Sequence, residues 1–129
     1  MEDVMIRISV LWIFAAITMC AHYALLFFEP DVFQKGFAGG SWRLAIVEAF
    51  ANWLIPLTMA FLSVTLEGLA NRYLNMVLGG LYILLSVFHL VRCPIIHVSN
   101  KPSVHQLLLG ISTIVVTVLI FWYAWNWQF

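Results

Sequence analysis

The chain has 129 residues, of which 64% are hydrophobic and only 9% are charged. A water-soluble domain carries about a quarter charged residues because its surface faces water, so this composition excludes an ordinary soluble domain and indicates an integral membrane protein. Six basic and six acidic residues give a formal net charge of +0, and without a basic stripe we expect no nucleic-acid partner.

Four apolar runs are each long enough to cross a hydrocarbon core of roughly 30 Å, which takes about 20 helical residues. The sequence therefore predicts an all-α integral membrane protein, with residues 1–129 forming a single four-transmembrane-helix bundle. Pro56 lies inside the second run and is expected to kink it, because proline removes one backbone hydrogen bond. In chain order, the predicted helices cover about 6–28, 44–66, 73–92 and 106–127.

Polar residues inside spanning helices are expensive and usually face a partner, a cavity or a ligand. At a rise of 1.5 Å per residue, the polar residues nearest the two long connections fall in the same leaflet. We therefore predict a polar-lined ligand pocket that opens toward these connections. Its candidate lining residues are His22, Glu48, Asn52, His89 and Arg92.

The opposite half of the bundle is predicted to differ. Its polar residues lie at the short second connection, where water is expected to reach them: Glu67, Asn71, Arg72 and Asn75.

Each pocket candidate also has a structural interpretation. Glu48 can snorkel to the headgroups or pair with Arg92 or Arg43. Asn52 can join two helices by a hydrogen bond. The two histidines can be hydrogen-bonded packing residues.

The segment HLVRCPIIH, residues 89–97, spaces His89, Cys93 and His97 four apart, as on one helical face. Pro94 disfavours helical geometry at the residue before it, so the helix is expected to end at Arg92 or Cys93. The segment is therefore interpreted as a helix end, and no metal site is assigned. The metal-ligand candidates are Cys93 and His97 of this segment together with His105 of the connection that follows.

A haem b is a further possibility, because His22 and His89 have comparable depths on different helices. A bis-histidine haem requires that arrangement.

A resemblance to a protein family rests on five short segments of the chain: LWIF (11–14), GFAGG (36–40), IPLTMAFLS (55–63), ANRYLN (70–75) and FWYAWNW (121–127). In these segments the chain resembles an uncharacterised family of small bacterial four-helix membrane proteins, a domain of unknown function. The resemblance implies a four-helix bundle in the bacterial inner membrane and brings no activity. The chain departs from the family in two places. Leu54 stands where members of the family tend to carry an acidic residue. The short connection EGLANR holds one arginine, whereas the same connection is usually rich in basic residues in the family.

The sequence contains no catalytic motif and no C-x-x-C. We therefore expect a non-enzymatic module that binds a lipid-like or quinone-like ligand, or an accessory subunit of a membrane complex. The main alternative is a membrane enzyme acting on a hydrophobic substrate, with Glu48 or a histidine as acid or base. A haem-binding bundle and an oligomeric transporter are further alternatives. The expected partners are the lipid bilayer, an apolar small molecule, and further copies of the chain or a larger membrane complex.

Overall fold

A computed structural model of the chain describes residues 2–26, 28, 46–47, 50–97 and 104–128, without the side chains of residues 26, 92–97, 105 and 106. The regular elements of this part of the chain are all helical. Helix α1 covers Glu2–Leu26, and α2 begins with a π-helical turn, Phe50–Leu54, that continues into the α-helix Ile55–Thr65. Helix α3 covers Gly68–His97, and α4 covers Val104–Trp125. The prediction of an all-α protein is confirmed.

Three of the four helices, α1, α3 and α4, are long and apolar enough to cross a membrane. The described part of α2 is apolar but shorter, and most of the segment 44–49, where the second span was predicted to begin, lies outside the described residues. Large apolar side chains cover the outside of the helices, including Phe14, Phe61, Leu84 and Trp122. Such a surface is typical of helices that face lipid.

Helix α3 is longer than predicted at both ends. It begins at Gly68, whose φ of 68° is accessible to glycine at little cost, rather than near Tyr73. It also continues through Pro94 to His97, so the prediction that the helix ends at Arg92 or Cys93 is wrong. One proline removes a single intrahelical hydrogen bond, and helices in an apolar environment tolerate that loss because the bonds on either side persist.

The helices are not all packed equally against one another. Helix α1 packs along both α2 and α4, and α3 packs along α4, whereas the described parts of α2 and α3 make few contacts with each other. Large side chains connect α1 with α3 across the interior, as where Trp12 and Tyr82 meet edge to face with ring centroids 5.2 Å apart. The core is built from apolar residues of all four helices, among them Ile8, Trp12, Met59, Tyr82 and Ile120.

Candidate functional site

Two histidines from different helices meet inside the bundle. His22 of α1 is 5% exposed and His89 of α3 is half-buried. Their Nε2 atoms are 3.3 Å apart, and their rings cross at 81° with centroids 5.1 Å apart. The structure thus brings together two of the predicted pocket residues, as their similar depths on α1 and α3 suggest.

A third predicted residue, Asn52, reaches this pair through an aromatic neighbour. Its side-chain Nδ2 donates a hydrogen bond of 3.1 Å to the hydroxyl oxygen of Tyr23, and the Tyr23 ring lies edge to face with His22 at 5.6 Å. Trp53 also meets Tyr23 edge to face, with ring centroids 5.9 Å apart. We call His22, Tyr23, Asn52, Trp53 and His89 the histidine cluster.

Sequence reasoning missed two members of the histidine cluster, Tyr23 and Trp53. Each directly follows a predicted site residue in the chain, but neighbours in a helix point about 100° apart, so adjacency alone does not predict a shared site. The sequence signal that could have identified them is the polar atom that tyrosine and tryptophan carry on an apolar ring, because such a residue next to a polar one often takes part in its hydrogen bonds.

The other predicted site residues are not described. Glu48 lies outside the described residues, as do the side chains of Arg92, Cys93, His97 and His105. The predicted pairing of Glu48 with Arg92 or Arg43 therefore remains a prediction. Within the described part of the chain, no group of three or more histidine, cysteine, aspartate or glutamate residues is arranged to hold a metal ion.

A second polar cluster, in the opposite half of the bundle, is fully buried. Trp12 Nε1 donates a hydrogen bond of 2.7 Å to Asn75 Oδ1, which also accepts one of 3.1 Å from Ser63 Oγ. Asn75 Nδ2 donates to Asn71 Oδ1 at 2.7 Å. Asn71 Nδ2 donates to the carbonyl oxygens of Ser63 and Leu66 at 2.9 and 2.7 Å. We call these side chains of Trp12, Ser63, Asn71 and Asn75 the asparagine network.

The asparagine network overturns the expectation that water reaches Asn71 and Asn75, since both are 0% exposed. The expectation failed because α3 begins at Gly68, which places both asparagines one helical turn apart within the packed helix. Their amide groups are hydrogen-bonded to one another and to α1 and α2, so the network joins three helices. A polar network satisfied in this way holds helices together in a membrane and offers little to a ligand.

The histidine cluster differs in its surroundings. An open apolar depression on the surface of α2 is lined by Phe50, Trp53, Leu54 and Leu57. Trp53 belongs both to this depression and to the histidine cluster. Polar groups in the interior and an apolar surface therefore meet at one residue.

The distance between the histidines bears on the haem hypothesis. Two axial imidazoles lie on opposite sides of one iron, and with metal–nitrogen bonds of about 2.0 Å their donor atoms are about 4 Å apart. The Nε2 atoms of His22 and His89 are 3.3 Å apart. The pair is thus closer than a bis-histidine haem requires.

Comparison with known proteins assigns no family. No protein-family model matches this chain, and no curated protein or solved structure is detectably similar to it.

Proposed function

We propose that this protein is a small four-span membrane protein that binds a lipid-like or quinone-like amphiphile at the histidine cluster without transforming it. The observation that supports this most is the meeting of His22 and His89 beside the Tyr23–Asn52 hydrogen bond. Polar groups at membrane depth are costly, so their convergence from three helices favours a functional use.

The chemistry of the cluster suits the head of an amphiphile. Imidazole nitrogens and a tyrosine hydroxyl both donate and accept hydrogen bonds, so they match the carbonyl or hydroxyl groups of a quinone or lipid head. Trp53 connects these groups with the apolar depression of α2. That depression offers an apolar surface for the tail, as expected of a site with a few convergent polar groups in an apolar setting.

The fourth span and the location in a bacterial inner membrane are part of this proposal. Residues 46–47 are also helical, and apart from Glu48 the sequence from Leu44 to Ala49 is apolar. A span of about 20 residues would then match the bilayer. An accessory role in a larger membrane complex is compatible with amphiphile binding.

The test is to purify the full chain with its native lipids in polymer-bounded bilayer discs and to analyse the extracted lipids by mass spectrometry. We expect one amphiphile to be enriched over its share of the surrounding membrane. Tyr23→Phe removes the hydroxyl that accepts from Asn52, and we expect it to lower the enrichment about fivefold to tenfold, the effect of one hydrogen bond of about 1–1.4 kcal/mol.

The matched control is Tyr73→Phe, since Tyr73 is 57% exposed on α3 and lies apart from the histidine cluster. This variant should keep the wild-type enrichment. A lipid profile that equals the surrounding membrane in the wild-type protein, or that changes equally in both variants, contradicts amphiphile binding at the cluster.

A further inference from the structure

We infer that His22 and His89 form a pH-sensitive connection between α1 and α3, which is closed while at least one imidazole is neutral and opens when both are protonated. Their Nε2 atoms are 3.3 Å apart, within hydrogen-bond reach. The ring centroids are 5.1 Å apart, so the two nitrogens face each other. The inference needs only the two imidazoles and does not rest on the proposed amphiphile.

The hydrogen bond between the two rings limits the number of protons that the pair can hold. A neutral imidazole has one N–H donor and one nitrogen acceptor, whereas an imidazolium has two donors and no acceptor. The bond survives a first added proton, because the charged ring then donates to the neutral one and the bond becomes stronger. A second added proton removes the acceptor, and two N–H groups of like charge then face each other.

The interior of the bundle makes this doubly charged state costly. His22 is 5% exposed and His89 is half-buried, and like charges repel more strongly where water is scarce. The side chains of Glu48 and Arg92 lie outside the described residues. The charged side chains that the structure does describe lie at the other end of the bundle, more than about 20 Å away along the helix axes: Glu2, Asp3, Arg7, Glu67 and Arg72. We therefore expect the two rings to separate when both are charged.

The described groups near the pair keep their charge when histidine titrates. On α1, the ring of Tyr23 meets His22 edge to face, and its hydroxyl accepts from Asn52 of α2. From α4, the hydroxyl of Thr113 lies 4.0 Å from the sulfur of Met19, one turn before His22. Phenols stay neutral below about pH 9, and amides, alcohols and thioethers do not titrate. Histidine is the side chain that ordinarily changes charge between about pH 5 and 8.

The asparagine network confines the expected change to one end of the bundle. It connects α1, α2 and α3 through side chains that do not titrate, as in the bonds from Trp12 and Ser63 to Asn75. Acid therefore leaves this connection intact while it opens the one between the histidines. A fixed connection at one end and a titratable one at the other let α1 and α3 separate locally without unfolding.

The test measures the separation of α1 and α3 in the full chain in detergent micelles at about pH 7.5 and about pH 4.5, on either side of the ordinary histidine pKa of about 6.5. One spin label is attached to Cys20, which is exposed on α1, and one to the variant Leu85→Cys on the exposed face of α3, in a Cys93→Ser background. Pulsed electron spin resonance reports the distance between the labels. We expect it to increase by about 2 Å at the lower pH, because a water oxygen that accepts from both Nε2–H groups at about 2.9 Å each holds them roughly 5 Å apart.

His89→Gln separates the histidine pair from other causes of an acid response. Glutamine carries no charge and offers both a donor and an acceptor, so it can pair with His22 in either protonation state. The label distance should then be the same at both pH values. Replacing the other two histidines, His97→Gln with His105→Gln, is the matched control and should keep the wild-type increase. A wild-type distance that does not change, an increase that persists in His89→Gln, or one that disappears in the control would overturn the inference.

Nitrogen-15 spectra of the histidine side chains test the pair without spin labels. In the protein with His97 and His105 replaced by glutamine, we expect one ring protonated at Nε2 and the other at Nδ1 at neutral pH, as a hydrogen bond between two neutral rings requires. The same pure tautomer in both rings would exclude the bond and overturn the inference. The amphiphile enrichment is measured separately, so either result leaves it to be judged by its own experiment.

Discussion

The hydroxyl of Tyr82 on α3 donates a hydrogen bond to the backbone carbonyl of Ala51 in the π turn of α2. In a π turn the carbonyl of residue i accepts from the N–H of residue i+5. For Ala51 that residue is Pro56, which has no N–H. The side chain of Tyr82 therefore supplies the donor that the proline removes, and it joins α3 to α2, two helices that otherwise make few contacts in the described residues.

We expect Tyr82→Phe to destabilise the protein by about 1–3 kcal/mol, because it leaves the Ala51 carbonyl without this donor in an apolar interior. The phenylalanine ring keeps the edge-to-face contact with Trp12, so the loss reports the hydroxyl. The free energy of unfolding in mixed detergent micelles measures it. Tyr73→Phe on the exposed face of α3 is the control. Equal stability of the two variants would show that the hydroxyl contributes nothing.

Restoring the missing N–H should make Tyr82 less important. Pro56→Ala gives α2 a donor at position 56, which can reach the Ala51 carbonyl from within the helix. We expect the cost of Tyr82→Phe to fall by about 0.5–3 kcal/mol in the Pro56→Ala background, the range of coupled neighbours in a double-mutant cycle. The four proteins of the cycle are compared by the same unfolding measurement. Additive effects would mean that the proline and the tyrosine act independently.

Helical rise was sufficient to predict that His22 and His89 lie at similar depth, because depth depends only on counting residues from a helix end. The sequence could not indicate that the two Nε2 atoms face each other, since this depends on how α1 and α3 are rotated about their axes. Rotation is set by packing of side chains distant in the chain, such as Trp12 against Tyr82. Composition and periodicity carry no direct record of such contacts.

The incorrect expectations share a physical cause, which is the treatment of helix ends. Pro94 was expected to end α3, yet the helix continues to His97, because one proline removes a single intrahelical hydrogen bond and membrane helices tolerate that loss. At the other end, a start near Tyr73 leaves Asn71 outside the helix, whereas the start at Gly68 places it inside. The earlier start thus adds Asn71 to the helix that already held Asn75, and both asparagines are buried.

Two adjacent glycines of α3 should respond differently to alanine. A Cβ atom at Gly79 would lie 3.3 Å from Ile120 Cγ2 and 3.3 Å from the backbone nitrogen of Phe121, so α3 and α4 would have to separate slightly. At Gly80 the nearest atoms belong to the Phe121 ring at 3.8 Å, an ordinary contact. We expect Gly79→Ala to destabilise by about 1 kcal/mol through overpacking.

Gly80→Ala is the internal control for this prediction, and we expect it to be neutral or slightly stabilising because alanine favours the helix more than glycine does. Thermal unfolding of both variants in the same detergent compares them. If Gly79→Ala proved as stable as Gly80→Ala, close approach of α3 and α4 at this point would be excluded.

Among the amide side chains of the asparagine network, we expect Asn75 to contribute most to the stability of the protein. Its Oδ1 accepts from both Trp12 and Ser63, and its Nδ2 donates to Asn71. Asn75→Ala would leave the buried Trp12 N–H without this acceptor, so we expect destabilisation of about 1–3 kcal/mol.

Asn126→Ala is the matched control, because Asn126 is exposed and its amide donates only within its own helical turn, to the carbonyl of Trp122. This change should alter the free energy of unfolding by less than about 0.5 kcal/mol. A double variant, Trp12→Phe with Asn75→Ala, should cost less than the sum of the two single changes, since it removes donor and acceptor together. Strict additivity would mean that Trp12 and Asn75 stabilise the bundle by packing rather than by their hydrogen bond. Sub-additivity would identify this hydrogen bond as the polar connection between α1 and α3 at the end of the bundle opposite the histidines.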